Sequence, residues 1–191
     1  MVFVDGTNLL TEMGKLLGVS KIAYSPNDDV LQMATTVVRV LVQRLYFELP
    51  GEQRVLRQYW FGSAQGSQED ALRVKTSLRK YEFEPMIFQK FKGGREKKVD
   101  IAVAKEMLIN AFHHNCENVL LIAGDEDYVD LVNDIKRYGV VVIGAFFDQG
   151  RSPDLALACD KFLKLDIWGH NRDKLIESIK AQYPSIQNNE S

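Results

Sequence analysis

Val119-Leu120-Leu121-Ile122-Ala123-Gly124-Asp125-Glu126-Asp127-Tyr128 is the stretch on which the fold turns. Its first five residues are all apolar, with no polar residue alternating among them. A strand with one wet face alternates; a run that does not is covered on both faces, as in a parallel sheet packed between helices. Gly124 then stops the run and acids follow at Asp125 and Asp127. Val140–Phe147 is a second such run, and Met1–Val4 a third that ends in an Asp5-Gly6 turn.

Working outward, the stretches between these runs carry helix signals. Ser25-Pro26-Asn27-Asp28 has the form of a helix start, with Ser25 as N-cap and Pro26 in the first turn, and that helix runs to Glu48 before Pro50-Gly51. Arg54–Phe61 reads as a strand, Gln68–Tyr81 as a helix and Glu84–Phe91 as a strand. A Gly93-Gly94 loop leads into a helix over Asp100–His113, where Ile101, Ala104, Leu108 and Ala111 recur at helical spacing. Asp127–Tyr138 is helical and closed by Gly139; Phe162–Trp168 is a last strand and Arg172–Gln182 a terminal helix. Strands alternating with helices define an α/β fold around a mostly parallel sheet. With no internal repeat or linker, residues 1–183 are expected to form one domain, and 184–191 a frayed tail.

The balance of 46% hydrophobic and 26% charged residues in 191 excludes disordered and low-complexity classes. The apolar runs fall far short of the roughly 20 residues of a membrane helix, and no basic leader precedes the first strand. Cys116 and Cys159 match neither a zinc spacing nor a disulfide framework, so a reducing cytoplasm is the expected setting. Net charge is −2, but it is uneven: residues 73–98 hold nine Lys/Arg against three Glu, a local +6, which leaves −8 for the rest. A basic block within an acidic chain suits an anionic partner on one surface and cations on another.

Ligands of open parallel sheets bind beyond the carboxyl ends of the strands. Asp5 and Asp125 follow two of the runs, Asp127 lies two residues on, and Asp100 opens the helix after the basic loop. Carboxylates gathered without a cation repel one another. Mg²⁺ removes the repulsion, being held by one or two carboxylates with waters and phosphate oxygens, and suits hydrolysis at phosphorus. Lys92, Arg95, Lys97 and Lys98 would then grip a polyanionic chain. The plainer alternative is that each Asp only caps a helix. By the same comparison, Tyr59, Trp60, Phe61 and Phe88 read as core, Phe91 between two lysines as a candidate for base stacking, and His113, His114 and His170 as surface residues.

Three segments together resemble the NYN (LabA-like) group of PIN-like ribonucleases. Val2-Phe3-Val4-Asp5-Gly6-Thr7-Asn8 is similar to the group's opening strand with its D-x-x-N ending. Lys97-Lys98-Val99-Asp100 is similar to K-G-V-D, and Ala123-Gly124-Asp125-Glu126-Asp127-Tyr128 to S-G-D-x-D-F. The resemblance spans residue 2 to about 167, with Lys98 where the group has Gly and Asp130 where Pro is common. It implies a three-layer Rossmannoid PIN-like fold and an Mg²⁺ or Mn²⁺ site acting on single-stranded RNA. Asp5, Asp100 and Asp125 would be ligands or water-positioning acids, Asp127 would support them, and Asn8 would orient the first aspartate or a phosphate. The group often carries a further acid where this chain has Glu106; six residues turn a helix by about 600°, which leaves Glu106 roughly 120° off the face of Asp100.

Asp5-Gly6-Thr7 is also similar to the D-x-D-G-T motif of haloacid-dehalogenase-type phosphatases, but the nucleophilic position there falls on Phe3, which cannot attack phosphorus. A catalytically silent RNA- or protein-binding module of the same fold is the alternative from another class. A phosphatase or DNA-directed nuclease sharing the acids is a third, and apolar edge strands leave room for a homodimer.

Overall fold

The computed structural model describes residues 1–17, 28–48, 55–90 and 97–165. Strand β1 (Val2–Asp5) is followed at once by helix α1 (Gly6–Leu17). Next come α2 (Asp28–Glu48), β2 (Gln58–Gln65), α3 (Gln68–Lys80), β3 (Glu84–Lys90) and α4 (Lys97–Phe112). The chain continues through β4 (Asn118–Ile122), a 3₁₀ turn (Glu126–Tyr128), α5 (Val129–Arg137), β5 (Val141–Phe146), α6 (Pro153–Ala158) and β6 (Lys161–Lys164).

The six strands form one sheet in the order β3-β2-β1-β4-β5-β6. Every pairing is parallel, so the expected mostly parallel sheet is wholly so among the described residues. Successive residues of each strand feed opposite cores, as the pleat requires. Val2, Val4, Trp60, Leu120, Ile122, Ile143 and Ala145 pack with α1, α2 and α3. Phe3, Tyr59, Phe61, Val119, Leu121 and Val142 pack with α4, α5 and α6 on the other face. This is the α/β three-layer arrangement anticipated from the uninterrupted apolar runs.

Tyr59, Trp60 and Phe61 are core residues, as expected. Phe3 lies 5.2 Å from Tyr59 and 6.4 Å from Phe61, centroid to centroid, in a stacked row across β1 and β2. Trp60 meets Phe83 edge-on at 5.2 Å on the opposite face.

Several boundaries differ from the sequence reading, each for a local reason. Asp5-Gly6 is a strand-to-helix junction rather than a free turn, and Leu9, Leu10 and Met13 bury the inner face of α1. β2 begins four residues later than Arg54 and runs past Gly62, because its register is set by Val2↔Gln58 and Gly62↔Ile87 rather than by its own apolar content. α4 starts at Lys97, so Asp100 lies within its first turn instead of opening it. The helix expected over Asp127–Tyr138 is a 3₁₀ turn and a separate α5, closed as anticipated by Gly139 with φ +79°. α6 was not anticipated, although Ser152 caps it and Pro153 fills its first position. α3 has the full capping box between Ser67 and Asp70. The Ser25 cap, Phe91, the Gly93-Gly94 loop with Lys92 and Arg95, His170, the 172–182 helix and the 184–191 tail lie outside the described residues.

Candidate active site

The strand order turns back between β1 and β4, and a crevice opens beyond the carboxyl ends of strands at such a reversal. Asp5 ends β1, and Asp125 lies three residues past the end of β4. Asn8, in the first turn of α1, fastens the two ends together. Its backbone N–H donates to Asp5 Oδ1 at 3.0 Å, and its Oδ1 accepts from the Gly124 N–H at 2.9 Å. Asn8 therefore orients the first aspartate through its main chain, while its side chain spans 116 positions of sequence.

Gly124 is required by space. A Cβ built there would lie 2.3 Å from the Gly150 carbonyl oxygen and 2.3 Å from Phe146 Cδ1. The Gly124 carbonyl accepts from the Ser152 N–H at 2.7 Å, which ties the crevice to the cap of α6. Gly150 in turn lies against Glu12, a carboxylate only 8% exposed, one helical turn beyond Asn8 and 2.5 Å from Lys15 Nζ.

Asp5 is 4% exposed. Tyr128 donates its hydroxyl to Asp5 Oδ2 at 2.8 Å and also stands 3.3 Å from Asp100 Oδ1, so one phenol bridges acids carried by β1 and α4. Burial above all pushes the Asp5 carboxyl up to about 6. The Asn8 N–H and the Tyr128 hydroxyl pull it part of the way back, and the negative charges of Asp100 and Asp125 raise it further. The Tyr128 phenol is held far above its ordinary range by burial first, then by the charge of Asp5.

Asp125 caps the 3₁₀ turn, its Oδ1 accepting from the Asp127 N–H at 3.2 Å. The capping role and the electrostatic role coincide in this residue, since its charge also reaches Asp5. Asp127 is exposed and lines a groove with Glu126, Asp130 and Asp154 between the turn, α5 and α6. Glu106 acts electrostatically on Tyr59 rather than on Asp5. Lys98 is exposed in the first turn of α4, next to Val99, which is buried. His113 and His114 are exposed beyond the end of α4, and Cys116 and Cys159 are free thiols, all as anticipated.

Among the described residues, no group of three or more His, Cys, Asp or Glu side chains is gathered tightly enough to enclose an ion. The donor set nonetheless has the chemistry of an Mg²⁺ site, which asks for only one or two carboxylates with waters completing the shell. Asp5 and Asp100 share a hydroxyl, and Asp125 acts on Asp5 through its charge. The sequence reading missed Tyr128, whose hydroxyl is the polar centre of this arrangement; a tyrosine directly after a pair of acids was the available signal.

A six-stranded parallel sheet with acids at its switch point is a Rossmann-like architecture. The chain matches the NYN domain family over residues 1–166 and belongs to it. Its fold is similar to that of a crystallised protein of unknown function from Vibrio parahaemolyticus. That likeness has a TM-score of 0.60 at 20% identity and covers 86% of this chain and 91% of the other. No curated protein matches the sequence. No helix among the described residues is long and apolar enough to cross a membrane.

Proposed function

We propose that the chain is a metal-dependent ribonuclease that hydrolyses phosphodiester bonds of single-stranded RNA in the crevice beyond β1 and β4. The observation that carries this reading is the Asp5–Tyr128–Asp100 bridge at the switch point of a chain in the NYN family. Asp5, Asp100 and Asp125 hold Mg²⁺ or Mn²⁺, and Asp127 assists from the same turn as Asp125. When bound, the ion supplies Lewis-acid polarisation of a phosphate oxygen. The chain's own residues prepare the place for it. Asn8 holds the Asp5 carboxylate at a fixed orientation. Gly124, with no side chain, lets the backbone just past β4 pack against the Gly150 carbonyl and the Phe146 ring. Lys92, Arg95, Lys97 and Lys98 precede or open, in sequence, the helix that carries Asp100, and bind the RNA backbone.

The test is cleavage of a labelled single-stranded RNA by purified Asp125→Asn with Mg²⁺ or Mn²⁺. The expected outcome is loss of metal-dependent cleavage with the circular dichroism of the parent retained. Cleavage at the parental rate would refute the assignment. Binding of RNA by the parent without any turnover would favour the silent module.

A further inference from the structure

The Tyr128 side chain is 2% exposed, with its ring among the residues of α4, α5 and the sheet. Phenylalanine would fill nearly the same space, so the hydroxyl adds polar contacts rather than packing. Those contacts are specific: 2.8 Å to Asp5 Oδ2 and 3.3 Å to Asp100 Oδ1. A phenol has a single proton to give, and here it lies between two carboxylates that repel each other. Asp5 and Asp100 come from elements far apart in sequence, and this hydroxyl is a partner the two carboxylates have in common. The same 3₁₀ turn also carries Asp125, whose carbonyl accepts from the Tyr128 N–H at 3.4 Å. One buried residue thus links all three acids.

We infer that Tyr128 is the positioning residue of the metal site: its hydroxyl aligns the Asp5 and Asp100 carboxylates so that both present oxygens to one divalent cation. The inference rests on the metal-dependent reading above. Partners that orient ligating side chains from behind change metal affinity by about 10- to 100-fold when removed.

The experiment is Mn²⁺ binding followed by electron paramagnetic resonance, with no RNA present, on the parent, Tyr128→Phe and Asp5→Asn. Thermal melts in chelator establish that each variant is folded. The expected result is saturable Mn²⁺ uptake by the parent, loss of uptake in Asp5→Asn, and a dissociation constant raised about 10- to 100-fold in Tyr128→Phe. A tyrosine ultraviolet difference signal in the parent should saturate with Mn²⁺ occupancy, which tests the contact even if Tyr128→Phe does not fold. Parental affinity in Tyr128→Phe overturns the positioning role and leaves the ribonuclease reading standing. Tighter binding in that variant overturns it too, since the hydroxyl would then compete with the cation. Absence of Asp5-dependent uptake by the parent defeats the metal site itself, and the inference with it.

Discussion

Replacing Asp5 by Asn should stabilise the metal-free protein at alkaline pH and not at acidic pH. The carboxyl stands at about 6 in the folded chain against 3.8 for the exposed group, a displacement of about two pH units. At about 1.4 kcal/mol per unit this is roughly 3 kcal/mol. Because the folded value is the raised one, the contribution has a definite sign. Below about pH 3.8 both states carry the proton and folding loses nothing. Between about pH 3.8 and 6 the unfolded chain releases this proton while the folded one keeps it, so stability falls across that window, and the full penalty is present above it, at pH 8. Asparagine resembles the neutral acid: its Oδ1 can still accept the Asn8 N–H, while the Tyr128 hydroxyl must turn to accept from the amide or lose its partner, at about 1 kcal/mol. The net expectation is a variant about 2 kcal/mol more stable than the parent at pH 8, and equal or about 1 kcal/mol less stable near pH 4. Urea denaturation in chelator at the two pH values measures both differences. A variant weaker than the parent by the same amount at both would show that Asp5 ionises without penalty, and the reasoning from burial would fail.

Gly124→Ala should unfold at lower urea, by on the order of 1–3 kcal/mol or more, because the new Cβ would meet the Gly150 carbonyl and the Phe146 ring at 2.3 Å; an unchanged midpoint would mean that the Gly150 loop yields freely. Ser67→Ala should lose about 1 kcal/mol, since the Ser67 hydroxyl accepts from the Asp70 N–H at 3.2 Å as the N-cap of α3; thermal melts at neutral pH decide it, with no change expected in Mn²⁺ binding.

The parts of the fold that were legible in sequence are those where burial alone dictates the pattern. Val119–Ala123 and Val142–Phe147 have no polar position because β4 and, after its exposed first residue Val141, β5 are covered on both faces. β2 was misplaced because its second half, Gly62-Ser63-Ala64-Gln65, is strand by pairing with β3 and carries little strand propensity of its own. α1 was hidden because Asp5-Gly6 read as a turn, although Leu9, Leu10 and Met13 share a face. In the site, Asp5, Asp100 and Asp125 were readable as acids at strand ends or helix starts. The groups that organise them were not: that Asn8 would reach Gly124, and Tyr128 both Asp5 and Asp100, depends on β1 and β4 lying side by side, which no local pattern encodes.

That adjacency also separates Asp5 from an aspartate that merely caps a helix. Asp5 accepts the N–H of Asn8, three residues on in the first turn of α1, as a capping acid would. Asp70 serves the capping box of α3 at the surface, and bonds from the Ser67 N–H and hydroxyl hold its carboxyl below the usual range. Both acids accept a backbone N–H and a side-chain hydroxyl, yet the Asp5 carboxyl moves up. The difference is burial together with the charges of Asp100 and Asp125, which arise only because three separate crossings of the chain end at one place. An acid needed only for capping gains nothing from such surroundings, and the fold is the less stable for keeping it ionised there. A divalent cation held there, as proposed, would reverse the sign of the interaction among the three carboxylates and turn the burial of Asp5 from a penalty into a source of affinity.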